Sequence, residues 1–540
     1  MTHSDFDRRR FCSLALATVA ASTSAAGAMA QQQRATPRPP PSAADEPATA
    51  AAYVAGMQLG TQAANYLEMV YEPAALSNFM SSADFENIRE NAGLDHVRIP
   101  ANCAARANVK GVISEAFLKK LDAQVAWALT RFDRVVLDPL HHYNQWKGGY
   151  AYERAYDDYE AVGMLTADEH AVRATAMWTQ LAERYKDRSL RLSFDLFNEP
   201  GGGPSQGGRP AGLTYRQLNQ WHEAVIPAIR ATGGKNASRT IWLEPWGNRI
   251  DLLTLPANAG PIGVSPHYYS PFGFTHRGDS LRAPSMANFV EDIRYAKRFA
   301  EAHKVPVWIG EAGVSVKQGD KPRSPAERAE YTAFVRNVCT AAGLPVCYWA
   351  YNSDFAQYDQ VAKAWHPGML QALTARPSPY PVRAVPEFKP LKGGRMAKEY
   401  WANGVWRGFS YDPATGVLTT PANDTGADKP LTLVFPDIAV GGGQVWTVRA
   451  SEFKGEWRIG NTAFRTIADK ADQNGAKGVD DRAVNAAGKA MYPHYMPGAP
   501  GGFENAYGDL LLPDTFLGVS LILASGSPPG RLVLSYLQSA

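Results

Sequence analysis

From about residue 51 to residue 375 the chain alternates between two hydrophobic patterns. Short apolar runs ending on polar residues recur eight times: Tyr53–Leu59, His96–Pro100, Arg134–Leu140, Leu192–Pro200, Thr240–Pro245, Ile262–Tyr269, Val305–Gly310 and Leu344–Tyr351. Between them, apolar residues repeat at helical spacing. Phe117, Leu118, Leu121, Val125 and Leu129 form one stripe, Trp178, Leu181, Ala182 and Tyr185 a second, and Leu218, Trp221, Val225 and Ile229 a third. Continuous apolar runs suit strands covered on both faces, and stripes suit helices buried on one. Eight strands alternating with helices over this length predict an α/β fold, a (β/α)8 TIM barrel. An open doubly wound sheet would want a glycine-rich turn after its first strand. Gly56-Met-Gln-Leu-Gly60 overlaps the run itself and supplies none.

Past residue 376 the pattern changes. A Pro-rich linker over 376–390 leads into a smaller C-terminal β-rich domain, 391–540. Its short β-type runs are Pro430–Phe435, Gln444–Arg449, Leu517–Ala524 and Arg531–Tyr536. Residues 466–510, rich in Ala, Asn and Gly, receive no assignment. This domain reads as a structural companion of the barrel in preference to a carbohydrate-binding module presenting Trp401, Trp406, Trp446 or Trp457.

At the other end, Arg8-Arg9-Arg10-Phe11 precedes an Ala-rich, mildly apolar run and the small-x-small site Ala28-Met29-Ala30. Residues 1–30 therefore read as a signal peptide of the twin-arginine type, followed by a Pro/Ala-rich linker over 31–50. A periplasmic or secreted protein is expected. Removal of Cys12 leaves Cys103, Cys339 and Cys347, an odd number that points to buried thiols over a disulfide framework. No other apolar run is long enough to span a bilayer. The formal net charge of +3 over 540 residues, without a dense basic run, excludes a nucleic-acid partner. No Cys or His spacing resembles a zinc site, and a monomer is expected.

Active sites of such barrels form at the carboxyl ends of the strands. Collecting what the sequence puts there gives Arg98, His141, His142, Asn198, Glu199, Trp246, His267, Tyr269, Glu311 and Trp349. Two carboxylates dominate the set. Cleaving a glycosidic bond with retention needs one acid to protonate the leaving oxygen and one carboxylate to attack the anomeric carbon, about 5–5.5 Å apart. Glu199 is read as the acid/base and Glu311 as the nucleophile. Arg98 and the Tyr269 hydroxyl would keep Glu311 ionised and aimed, and that charge with partial burial would raise the Glu199 carboxyl. His267 and Tyr269, two apart, share one face of a strand.

Taken jointly, His96-Val-Arg98-Ile-Pro, Leu137-Asp-Pro-Leu-His-His-Tyr143, Phe197-Asn-Glu-Pro200, His267-Tyr-Tyr-Ser-Pro-Phe272 with Thr275-His276, Ile309-Gly-Glu-Ala-Gly313 and Tyr348-Trp349 resemble the family 5 glycoside hydrolases. This is the cellulase family of clan A, and the likeness is to its endoglucanase branch, over residues 53–375. The resemblance implies a retaining endo-β-1,4-glucanase acting on a β-glucan polysaccharide or oligosaccharide without metal or cofactor. By it, Arg98, His141, Asn198, His267, Tyr269 and Trp349 line the subsite beside the bond, and His142 a neighbouring one. Glu-Ala-Gly replaces the commoner Glu-Phe-Gly, and Asp-Pro-Leu precedes the histidines. A β-mannanase or another β-glucan-active hydrolase of the family is the alternative. A metal-dependent barrel hydrolase using His141, His142 and His267, or a non-catalytic sugar-binding protein, are more remote ones.

Overall fold

The computed structural model describes residues 41–396 and 409–538, apart chiefly from 70–79, 144–161, 202–212, 376–379, 381–387, 440–444, 467–479, 485–489, 495–503 and 507–514, and a few shorter gaps that include His142. The expected signal peptide, most of both expected linkers, Cys12, His142, Trp401 and Trp406 lie outside the described residues.

Eight parallel strands carry the architecture: β1 (Leu59–Gln62), β2 (His96–Pro100), β3 (Arg134–Asp138), β4 (Leu192–Asp195), β5 (Ile241–Leu243), β6 (Ile262–Val264), β7 (Ile309–Ala312) and β8 (Val346–Tyr348). They form one sheet in the order β6-β5-β4-β3-β2-β1-β8-β7. The edges β6 and β7 meet through the parallel bridges Val264↔Val307 and His267↔Glu311, which close the ring. Helices α2 (Ser82–Glu90), α3 (Glu115–Leu129), α4 (Ala167–Tyr185), α5 (Tyr215–Ala231), α6 (Ala283–His303), α7 (Pro325–Ala342) and α8 (Met369–Thr374) follow the strands. Among the described residues no α-helix separates β5 from β6, between which lies the short 3-10 turn Trp246–Asn248. No described helix is long and apolar enough to cross a membrane.

The helices form where the stripes predict. Thr166 and Thr214 open α4 and α5 with capping boxes completed by Glu169 and Gln217, satisfying amides that a helix start leaves unpaired. Trp178, Leu181, Leu218, Trp221, Val225 and Ile229 are all buried against the sheet. Cys103, Cys339 and Cys347 are buried and free, each thiol pushed up by burial.

Every strand except the second is shorter than its apolar run. The sixth ends at Val264, so His267 and Tyr269 lie beyond it rather than on one strand face. Two boundaries move the elements themselves. Tyr53 does not open the first strand; it lies in α1 (Ala50–Ala55), N-capped by Thr49, and β1 begins only at Leu59. Tyr53 and Met57 instead pack with Val136, Trp242, Trp308 and Cys347. The Tyr53 hydroxyl donates to the carbonyls of Val135 (2.8 Å) and Arg191 (2.9 Å), groups at the amino ends of β3 and β4. The helix thus stoppers the amino-terminal mouth of the ring. Just before it, Asp45 pairs with Arg134 and Glu46 with Lys235 (2.8 Å), so this end of the segment expected as a linker is held on the barrel. The seventh strand runs Ile309–Ala312 rather than Val305–Gly310, which puts Glu311 inside the ring seam.

The C-terminal domain has two antiparallel sheets. One has its longest strands at Gly530–Gln538 and Val445–Lys454, the other at Lys429–Ala439, Thr515–Leu523 and Trp457–Thr466. Leu418, Leu532 and Leu534 of the first and Leu433, Leu521 and Leu523 of the second are buried. Residues 466–510, unassigned from sequence, hold three further strands at Asp480–Val484, Ala490–His494 and Glu504–Ala506.

Candidate active site

At the carboxyl end of the ring the side chains converge on one guanidinium. Arg98, inward on β2 and fully buried, donates to Asp195 (Nε, 2.9 Å), to Gln62 and Glu311 (Nη1, 2.9 and 2.8 Å), and to Asn198 and Glu244 (Nη2, 2.9 and 2.8 Å). Asp138 lies 3.1 Å away. Burial alone would depress the guanidinium, but Asp138, Asp195, Glu244 and Glu311 raise it far more, so it is permanently charged. Burial likewise lifts the Asp195 carboxyl to about 6.

Glu311 accepts from Arg98 and, on its other oxygen, from the Tyr269 hydroxyl at 2.6 Å. His267 Nδ1 is 3.0 Å from Glu199 and 3.5 Å from Glu311, and Nε2 makes a 3.1 Å ionic contact with Glu244 that lacks hydrogen-bond alignment. Gly310 makes room for this ring, since a Cβ there would stand 2.8 Å from Nε2. Burial disfavours the imidazolium, and the surrounding carboxylates, Glu244 first, overcome this and hold His267 protonated.

His141 lies on the other wall. Its Nδ1 meets Asp138 at 2.5 Å, and its ring stacks on Trp349 with centroids 5.1 Å apart and planes 8° apart. Burial drops the imidazole to about 3, so it is neutral and donates Nδ1–H to Asp138. Gly313 lets Trp349 approach: a Cβ would lie 2.2 Å from its carbonyl oxygen. Trp246, also expected at this site, directs its indole N–H to the Leu213 carbonyl at 2.7 Å and packs on the core, without a described contact to the cluster.

Glu199 is the open member, its side chain 41% exposed. Oxygens of Glu199 and Glu311 lie within 4.8 Å of each other. Enclosure raises the Glu199 carboxyl, yet the hydrogen bond and charge of His267 pull it further down, to about 2. This reverses the expected upward shift, because the imidazolium touches Glu199 as well as Glu311. Glu199, His267 and Glu311 could also geometrically hold a cation, but Arg98 and His267 already neutralise these carboxylates. Beside the cluster a cavity of about 580 Å³ is lined by His276, Lys317, Asn352, Asp354, Tyr358 and Gln360.

Eight of the sequence-selected residues thus surround one space. Gln62, Asp138, Asp195 and Glu244 were not selected, although an acid inside or just after an apolar strand is a signal, since a buried charge needs a partner.

A family model, "Cellulase (glycosyl hydrolase family 5)", matches residues 59–355, more than half of the chain. The chain belongs to glycosyl hydrolase family 5. Within the family it is 25% identical to Endoglucanase H of Acetivibrio thermocellus, over 60% of this chain and 33% of that one. It is 27% identical to a xyloglucan-specific endo-β-1,4-glucanase of Bacteroides ovatus, over 49% and 55%. The chain therefore spans about a third to a half of the length of these curated relatives. Among solved structures, Thermotoga maritima Cel5A in complex with cellobiose is 26% identical with a TM-score of 0.51, covering 61% of this chain and 99% of that one. The same enzyme has been solved with mannotriose, at a TM-score of 0.50 and 26% identity over 59% and 98% of the two chains. The family 5 match ends at the barrel and does not reach the C-terminal sheets.

Proposed function

We propose that this protein is a retaining endo-β-1,4-glucanase with Glu311 as nucleophile and Glu199 as acid/base. The supporting observation is that one oxygen of each lies within 4.8 Å of the other, a proximity that fits the about 5–5.5 Å carboxyl separation of retaining pairs. Arg98 and Tyr269 hold Glu311 from two sides and point one carboxylate at the anomeric carbon. Asn198, whose amide oxygen is engaged by Arg98, has its N–H groups to offer the neighbouring sugar hydroxyl. Trp349, backed by His141, supplies a flat floor for the ring.

The free site keeps the needed proton on His267, 3.0 Å from Glu199. A sugar closing the cleft desolvates the Glu199 carboxylate, so the proton moves from Nδ1 to Oε1 and from there to the leaving oxygen. Glu199 then accepts a proton from the water that releases the glycosyl–Glu311 ester.

The test is a product profile on defined β-1,4-gluco- and manno-oligosaccharides, with the first-formed anomer read by NMR. We expect internal cleavage of the gluco series with retained β-anomer. Glu199→Gln should lose roughly 10²–10⁴-fold in turnover of these substrates, and Glu311→Gln at least as much. An α-anomer, or near-normal turnover in either variant, overturns the assignment. A β-mannanase is the second reading, motivated by the mannotriose complex of the Thermotoga relative. Faster hydrolysis of galactomannan than of carboxymethyl-cellulose would favour it. The cavity beside Asn352 and Asp354 supports an extended chain as substrate in either case.

A further inference from the structure

Glu244 stands immediately after β5, its residue only 1% exposed, and neither the nucleophilic nor the acid/base role falls to it. One oxygen accepts from Arg98 Nη2 and the other from the backbone amide of Glu199, at 2.5 Å. That amide belongs to a residue in an unusual conformation. Glu199 has φ 44°, in the left-handed region that side chains other than glycine and asparagine seldom enter and that persists where its surroundings over-determine it. The direction of its N–H fixes the peptide plane between Asn198 and Glu199, and with it the direction of the side chain.

We infer that Glu244 is a positioning residue: it clamps the Glu199 backbone so that the side chain is aimed at the leaving oxygen, and it ties that clamp to the guanidinium that frames Glu311. Arg98 reaches Glu311 at 2.8 Å and Glu244 at 2.8 Å, so a single rigid planar group sets both ends of the carboxylate separation. Neutralising Arg98 does not require Glu244. Asp195 and Asp138 already lie 2.9 and 3.1 Å from it, and a further buried carboxylate is costly unless it performs a task. Glu244 also lies 3.1 Å from His267 Nε2, but Glu199 and Glu311 face that imidazole as well; the hydrogen bond from the Glu199 amide is the contact specific to Glu244.

The inference rests on Glu199 being the acid/base, and leaving-group dependence tests the two separately. Cello-oligosaccharides need their leaving oxygen protonated, whereas dinitrophenyl β-cellobioside expels a stable phenolate without help. With Glu244→Gln, whose amide turns an N–H2 toward Arg98 or the Glu199 N–H, kcat/KM on cellotetraose should fall about 100-fold, while on the dinitrophenyl substrate it stays within roughly 3-fold of the parent. Glu199→Ala should give the same split. Absence of a split in Glu199→Ala overturns the acid/base reading itself. A split in Glu199→Ala with equal losses on both substrates, or none, in Glu244→Gln overturns only the clamp. Circular dichroism and thermal melting monitor folding. Should Glu244→Gln fail to fold, Glu244→Asp, which keeps the carboxyl on a shorter arm, is read by the same comparison and the same criteria.

Discussion

At the scale of single residues the proposed nucleophile depends on two donors. Glu311 has one oxygen on Arg98 and the other on the Tyr269 hydroxyl, and the ring of Tyr269 is wedged by edge contacts with His276 (4.9 Å) and Phe355 (5.8 Å). Tyr269→Phe keeps the wedge and removes only the hydroxyl. A hydrogen bond to a charged group contributes about 1.5–3 kcal/mol, so kcat/KM on cello-oligosaccharides should drop about 10- to 100-fold without loss of folding. An unchanged value would show that the 2.6 Å contact does not hold Glu311 for its proposed role. Residues of this kind were legible because each ends an apolar strand on a group with no structural business there. Glu244, Asp138 and Asp195 were harder to see. Their importance lies in which other strand ends they reach, and Arg98 gathers groups from strands over a hundred residues apart. For the same reason the resting charge of Glu199 could not be read from the chain: it turns on which carboxylates His267 Nδ1 faces.

At the scale of elements, the helical stripes were the most legible feature, since a face repeated over four turns outweighs local exceptions. Single-turn elements were least legible. An apolar run such as Tyr53–Leu59 fits a strand as well as a short helix and β1, and only the mouth of the ring, which takes the Tyr53 side chain, decides between them. Helix α5 carries a cost that its stripe conceals. His222 sits fully buried on its inner face with its ring against Phe197 (5.9 Å), and burial lowers the imidazole to about 3. The folded state therefore holds it neutral, while the unfolded chain binds a proton below its ordinary pKa of about 6.5. Its stabilising share is complete above that value and is lost as pH falls toward 3. At about pH 5 the loss is about 2 kcal/mol, from about 1.5 pKa units at about 1.4 kcal/mol each. His222→Leu removes this dependence. The difference in unfolding free energy between about pH 7.5 and pH 5 should shrink by about 2 kcal/mol, measured by urea melts of parent and variant. Equal pH dependence in both would mean that the imidazole is solvated on its helix.

At the scale of the molecule, the barrel separates its two tasks. The amino-terminal mouth is stoppered by α1 and its apolar cluster, and the carboxyl mouth gathers the charges, the division of labour usual in this architecture. The C-terminal domain depends on its last strand in a comparable way. Gly530–Gln538 pairs with Lys389–Pro390, Val417–Thr420 and Val445–Lys454, so the end of the chain holds together segments from the beginning and the middle of the domain. Its link to the barrel includes the Gly526 carbonyl, which accepts from Arg216 of α5 at 2.8 Å on an exposed surface. An exposed single hydrogen bond contributes little, about 1 kcal/mol. Ending the chain at Pro529 should therefore open the first sheet of the C-terminal domain and leave the barrel working. Limited proteolysis should trim the shortened protein back toward the Pro-rich segment near residue 380, while kcat/KM on cello-oligosaccharides remains within roughly 3-fold of the parent. A barrel that melts together with the truncated C-terminal domain would mean that the two share a cooperative core. Retained turnover of oligosaccharides with lost retention on insoluble cellulose would assign that domain a binding task in place of a purely structural one.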